Sequence, residues 1–342
     1  MSTFSSGRKA ASFISLIAGI VLIIVGLGLS IAGTGNVYRG TMFVCGIVLF
    51  FVGLYLFPTL KHHRSIINFI FLFPLLFAFI VTVIIPLILG IGYSFTDWNG
   101  ITMKGFVGFS NYTRMFKQPA FLWSILLTFL FVVFNMILVN LIAFLLALLC
   151  TSKIKGLGFF RAAYFLPNLI GGIVLGYIWQ ILINCVLSLL DKPLLALDST
   201  YGFWGLVVLM LWQQAGYMMI IYISGLQSIP EDYIEAARID GANALQILFR
   251  IKIPNVMPSI TICTFLTITN GFKLFDQNLA LTGGEPAHAS EMMALNIYNT
   301  FYSRTGAQWK GYGQAKAVIF CLMVILISLA QLKTTKSREV QM

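Results

Sequence analysis

Residues 235–254 read EAARIDGANALQILFRIKIP. The stretch carries Glu235, Arg238, Asp240, Arg250 and Lys252, yet long apolar runs flank it on both sides. Just upstream, Ser228 and Glu231 have the S-x-x-E spacing of a capping box, which predicts a helix starting near Ser228. Pro230 fits a first turn, where a missing N–H is no loss. Glu231 and Asp232 suit the positive end of the helix dipole. That helix continues through YIEAARID, and Gly241 supplies a residue that tolerates a left-handed stop. A second helix, ANALQILFRIK, follows, with Leu245, Leu248 and Ile251/Lys252 at three- and four-residue spacing, and Pro254 ends it. Ala236, Ala237, Gly241 and Ala242 make a small-residue surface at the bend, which permits close approach by another backbone. The residues alone also fit an amphipathic loop resting on a membrane surface.

The surroundings decide what kind of loop this is. The chain has 342 residues, 59% of them apolar and 10% charged, with a mean hydropathy of +0.91. A soluble domain carries about 25% charged residues, so this is a membrane protein of all-α class. A lipid-spanning helix needs about 20 mainly apolar residues. Eight segments qualify: about 11–33, 41–60, 66–93, 121–149, 164–187, 203–226, 257–279 and 313–332. The net charge of +11 does not call for nucleic acid, because cytoplasmic loops collect Lys and Arg. With the N-terminus inside, the inner segments hold more of the cations, among them Arg8, Lys9, Lys61, Arg64, Lys153 and Lys155. The expectation is a multi-pass protein of a bacterial-type plasma (inner) membrane, in contact with lipid. Both termini and the 235–254 stretch are expected in the cytoplasm.

The organisation expected is a two-helix hairpin with a basic linker over 1–64, a working core over 65–335 and a short tail over 336–342. The first apolar run is too long for a signal-peptide core and is read as a retained helix. Ser15/Gly19 and Gly28/Ala32 have small-xxx-small spacing, though so Gly-rich a segment yields that spacing by chance. His62 and His63 in KHHR (61–64) read as a basic membrane flank rather than a metal site. The five cysteines fall in or beside apolar runs, with neither disulfide nor zinc spacing. There is no GxxxxGK[ST], HExxH, GxSxG or paired CxxC, so neither nucleotide binding nor hydrolysis is expected of this chain. A conduit fits better than a catalyst, and no segment is a visible repeat of another.

The stretch EAA…DGA…F..I..P..P, here Glu235-Ala236-Ala237, Asp240-Gly241-Ala242, Phe249, Ile253-Pro254 and Pro258, resembles the cytoplasmic signature of binding-protein-dependent ABC importer permeases. SFTDWNG (94–100), VGFSNYTRMF (107–116), GFFRAAYFLPN (158–168), FKLFDQNLALTGGEPA (272–287) and GYGQAKAV (311–318) resemble the carbohydrate branch, the maltose and glycerol-phosphate type. The resemblance covers about residues 66–335 and implies a six-helix permease core behind the N-terminal hairpin. It further implies that Glu235, Ala236, Ala237, Asp240, Gly241 and Ala242 form a coupling helix that docks on a separate ATPase pair. ATP and Mg would be held there, with no cofactor on this chain. A second permease subunit, usually a different one, an external solute-binding protein and a carbohydrate are the other implied partners. Glu285 and Ser290 depart from the family's usual Gly and Thr. Both lie in an outer loop, where they bear on docking of the binding protein rather than on coupling.

Polar and aromatic side chains at membrane depth tend to face a bundle interior or a wet path. Trp212, Gln213 and Tyr217 fall within about a turn and a half of one helix and are the first candidates for contact with solute. Gln214, beside them, and Asn135, Asn140, Trp179, Gln180, Asn184, Asn270, Lys273 and Asp276 are the others. Amides suit sugar hydroxyls, and aromatic faces suit pyranose rings. Such residues also glue helices together, and Lys273 and Asp276, at i and i+3, can pair on one helix face. Two other functions compete with import. An ion-coupled secondary transporter would show inverted repeats and mid-membrane carboxylates, and a purely structural membrane protein would leave solute uptake unaffected.

Overall fold

A computed structural model describes residues 6–31, 38–56, 63–152, 156–303 and 308–336. Among them are six helices long and apolar enough to span a membrane, one shorter apolar helix, and one span broken by a bend. These make up the eight apolar segments expected from the sequence. Packing divides the chain between Leu89 and Gly90, later than the division at 64 that the basic linker suggests. Lys61, His62 and the tail from 337 onward lie outside the described residues.

In the first unit, α1 (Ser6–Ile31) and α2 (Arg39–Leu56) form an antiparallel pair. Their backbones come so close that a Cβ on Gly19 would stand 2.6 Å from the Phe50 nitrogen. The Ser12 hydroxyl donates to the Gly53 carbonyl at 2.8 Å across the same seam. The small residue at Gly19 is therefore used, and not a chance of composition; Gly28 meets nothing within 4 Å. Helix α3 (His63–Phe79) passes through a wide π turn, Ile80–Ile84, into α4 (Ile85–Ser94).

The second unit begins with a β-hairpin, β1 (Thr96–Trp98) against β2 (Met103–Phe106), turning at Asn99 and Gly100. Polar FTDWNG thus forms the expected turn, but between two short strands of an otherwise helical chain. Helix α5 (Ser110–Phe116) leads to α6 (Pro119–Cys150), then α7 (Leu157–Phe165). A 3-10 turn, Leu166–Leu169, built around Pro167, separates α7 from α8 (Gly172–Leu189). The span expected over 164–187 accordingly starts later, at Gly172. Helix α9 (Ser199–Gln227) packs along α6 at the centre of the unit. Toward one end Val139, Ala143 and Ala147 meet Met218, Met219 and Tyr222. Toward the other Phe131 meets Leu206, Leu209 and Leu281.

Beyond α9 come α10 (Glu231–Ile239), α11 (Ala244–Ile247), a π turn over Leu248–Lys252, and α12 (Ile253–Asn255). The chain then bends by 70° into α13 (Met257–Phe272). Helix α14 (Asp276–Leu281), α15 (Met293–Tyr302) and the long α16 (Gln308–Lys336) complete the unit. The span expected over 257–279 is interrupted: α13 stops at Phe272, and Lys273 caps it. Near the start of α16, Lys316 is fully buried. Its ammonium donates to Asn296 Oδ1 at 2.7 Å and Thr300 Oγ1 at 3.0 Å on α15, and lies 5.0 Å from the Phe121 ring.

Candidate functional site: the 228–256 loop and a polar cavity

The loop after α9 is shaped by its own caps. The capping box expected at Ser228 does not form. Ser228 Oγ turns back to the Gly225 carbonyl at 2.8 Å, and Pro230, extended at ψ 135°, leads into α10 with no side-chain cap. Ser228 is still winding out of the long α9, so its hydroxyl is taken by the turn behind it. At the other end, Gly241 takes φ +79°, a conformation that costs little only without a Cβ. Gly241 N–H donates to the Arg238 carbonyl and Ala242 N–H to that of Ala237, at 3.1 and 2.9 Å. This is the double closure of a Schellman motif, which satisfies carbonyls that the helix end would otherwise leave free. The capping box appears one helix later. Asn243 Oδ1 accepts from the Gln246 N–H, and Gln246 Oε1 accepts from the Asn243 N–H, both at 2.8 Å.

The second helix does not stop at Pro254. It widens into the π turn, carries Pro254 inside α12 and bends at Val256. Ile247 is the residue that anchors this arm inward, while Leu245 and Phe249 stay exposed. Every residue of the expected docking set, Glu235, Ala236, Ala237, Asp240, Gly241 and Ala242, is exposed or half-exposed around the bend. Beside them Tyr233 and Ile239, the latter 85% exposed, add apolar surface. The sequence reading did not single out Ile239 or Tyr233; their exposure follows from the turn geometry, which no hydropathy sum carries.

A polar cavity of about 220 Å³ lies where α9 meets the break after α13. Gln213, Asn270 and Lys273 line it, as do Asn168 of the 3-10 turn, Gln214 and Gln277. Gln213 is held on two sides: its Nε2 donates to the Ile170 carbonyl at 3.3 Å, and its Oε1 accepts from Gln277 Nε2 at 2.8 Å. Gln214 is only 5% exposed, and its Oε1 has no protein partner. Asn168 and Gln277 were missed because each stands apart in sequence from the polar run on α9. Pro167 and the interrupted span were the only signals for them.

The other candidates sit elsewhere. Gln180 Nε2 donates to the Leu281 carbonyl at 2.9 Å, and Asn184 Oδ1 accepts from the Leu195 N–H at 3.0 Å, so both tie α8 to its neighbours. Trp212 is 43% exposed and packs edge-on against Trp179. Tyr217 is also on the exposed side of α9, with its ring near Phe165. Asp276 is exposed at the first turn of α14. It does not pair with Lys273, because the two flank a break instead of sharing a helix face. His288 Nδ1 lies 2.8 Å from Glu291 Oε2 in the loop between α14 and α15. The two departures from the family's pattern meet in that same loop, where Ser290 Oγ donates to the Glu285 carbonyl at 2.5 Å.

The chain is 43% identical to the probable starch degradation products transport system permease protein AmyD of Thermoanaerobacterium thermosulfurigenes, over 80% of this chain and 95% of that one. It is 33% identical to the multiple sugar-binding transport system permease protein MsmF of Streptococcus mutans serotype c, over 75% of this chain and 90% of that one. Its fold is similar to that of a chain in the crystal structure of a bacterial ABC transporter involved in the import of the acidic polysaccharide alginate. That match has a TM-score of 0.70 and 18% identity, and covers 81% of this chain and 97% of the other. Residues 118–333 match the model of the binding-protein-dependent transport system inner membrane component. This multi-pass membrane chain belongs to that family of transport permeases.

Proposed function

We propose that the chain is a permease subunit of an ATP-driven, binding-protein-dependent carbohydrate importer, forming half of the translocation pathway. The observation that carries the coupling is the self-capped bend at Gly241–Asn243, with charged and apolar side chains turned outward around it. Glu235, Ala236, Ala237, Asp240, Gly241 and Ala242 dock there on a separate ATPase pair. Closure of that pair pulls the loop and rocks the spans between inward- and outward-facing states. ATP and Mg belong to the ATPase, and this chain is not itself a catalyst. A second permease, usually a different chain, completes the pathway, and an external solute-binding protein delivers the sugar. The chain lies in the plasma (inner) membrane with both termini in the cytoplasm, as its Lys and Arg distribution favours. The amide-rich cavity at Gln213, Gln214, Asn270 and Gln277 suits hydroxyl-rich solutes, and the named sugar permeases are its similar sequences.

The test is Gly241→Val. A β-branched residue at φ +79° is strained by about 1–3 kcal/mol and reshapes the bend without touching the spans. Uptake is expected to fall at least about fivefold, since 1.4 kcal/mol is a factor of ten, with the protein still present in the membrane. Normal uptake by this variant would remove the coupling role. Uptake that persists without ATP and follows an ion gradient would point to a secondary transporter.

A further inference from the structure

At the end of the second unit away from the 228–256 loop, aromatic rings succeed one another. Tyr298 and Tyr302 lie at i and i+4 on α15, hence on one face, with ring centroids 4.8 Å apart. Phe275, in the break between α13 and α14, is 5.0 Å from Tyr298. Its neighbour Leu274 lines the polar cavity. At the other end of the run, Tyr302 and Phe301 wall a second, larger cavity of about 640 Å³. Trp98, Asn99, Lys310 and Gln314 line that cavity with them. Trp98 is backed by a stacked Tyr93 at 4.8 Å. The Lys310 ammonium donates to the Phe301 carbonyl and stands 5.2 Å from the centre of the Tyr302 ring, fixing the end of α15. Tyr302 itself is largely exposed.

We propose that Tyr302, Tyr298 and Phe275 form a carbohydrate track that leads sugar rings from the outer cavity to the polar one. The inference rests on the carbohydrate-import reading. Each ring offers an apolar face to the C–H side of a pyranose. The amides of Asn99 and Gln314 offer hydrogen bonds where the track begins, and those of Gln213 and Gln277 where it ends. Several weak contacts in series suit conduction, which needs binding firm enough to enter and loose enough to leave. An interfacial aromatic belt would use the same residue types to hold the protein in lipid. It predicts no dependence on the solute.

The test uses the transporter purified with its partners, in proteoliposomes, with maltose and maltohexaose as probes. The Tyr298→Ala/Tyr302→Ala double variant is expected to raise KM for the hexasaccharide about tenfold, an effect of about 1.4 kcal/mol, with maximal rate retained. For the disaccharide, which spans fewer rings, the rise is smaller. The Tyr298→Phe/Tyr302→Phe variant keeps both rings and is expected to behave as the unmodified protein. Should the double Ala variant fail to reach the membrane, Tyr302→Ala alone reads the same length dependence at an exposed position. Unchanged KM for both sugars in correctly inserted Ala variants, or equal damage from the Phe and Ala pairs, overturns the track alone. If the unmodified complex imports neither these probes nor other sugars, the import function fails, and the track with it.

Discussion

Asn243 and Gln246 each accept the other's backbone N–H at 2.8 Å, so the start of α11 needs nothing from a partner. Removing the cap by Asn243→Ala costs about 1 kcal/mol and frays the arm that carries Leu245 and Phe249. The expected result is about fivefold weaker retention of the ATPase, measured by dilution of the purified complex, with span folding intact by protease protection. The sequence marked Gly241 correctly because a glycine between two helix-like runs has one common use. It misplaced the capping box because S-x-x-E and N-x-x-Q are both acceptable spellings, and only the end of α9 decides between them. For the membrane-depth residues the reading was coarser. Gln213, Asn270 and Lys273 do share a cavity. Gln180 and Asn184 show the competing use of an amide, which is to satisfy a neighbouring backbone.

Two of the elements widen just ahead of a proline. Two π turns occur among the described residues, Ile80–Ile84 and Leu248–Lys252, and each ends one residue before an Ile-Pro pair, Ile85-Pro86 and Ile253-Pro254. A proline ring inside a helix clashes with the carbonyl four residues back. Widening the turn by one residue moves that carbonyl aside and lets the helix continue. Reading Pro254 as a stop was therefore wrong for a physical reason: the helix had a cheaper answer than ending. Elsewhere two elements meet backbone to backbone. A Cβ on Gly216 of α9 would stand 1.8 Å from the Tyr164 carbonyl oxygen of α7. Gly216→Val is expected to push α7 away and cost several kcal/mol, at the upper end of core overpacking. Loss of the folded protein from detergent extracts, seen as aggregation in gel filtration, is the check. The spans themselves were legible because about 20 apolar residues in a row have one stable home. The breaks at 166–171 and 273–275 were not, since hydropathy adds up residues without regard to direction.

On the scale of the whole chain, packing divides the molecule between Leu89 and Gly90. The similar starch-product permease AmyD aligns over 95% of its own length with only 80% of this chain, and the family match covers 118–333. Deleting residues 1–62 is expected to leave insertion of the remaining spans and ATP-driven uptake in place, measured by surface labelling and by uptake in cells. Loss of uptake at normal membrane levels would make the hairpin part of the transport machinery.

Lys316 gives the molecule an order of manufacture. An ammonium entering alone costs about 2.5–3.5 kcal/mol at the centre of a spanning helix, and less toward the end of the helix, where Lys316 sits. Here the acceptors, Asn296 and Thr300, and the Phe121 ring are all encoded earlier in the chain than Lys316 itself. A chain lacking α15 would thus bring the Lys316 ammonium into the fold without the two oxygens that accept from it.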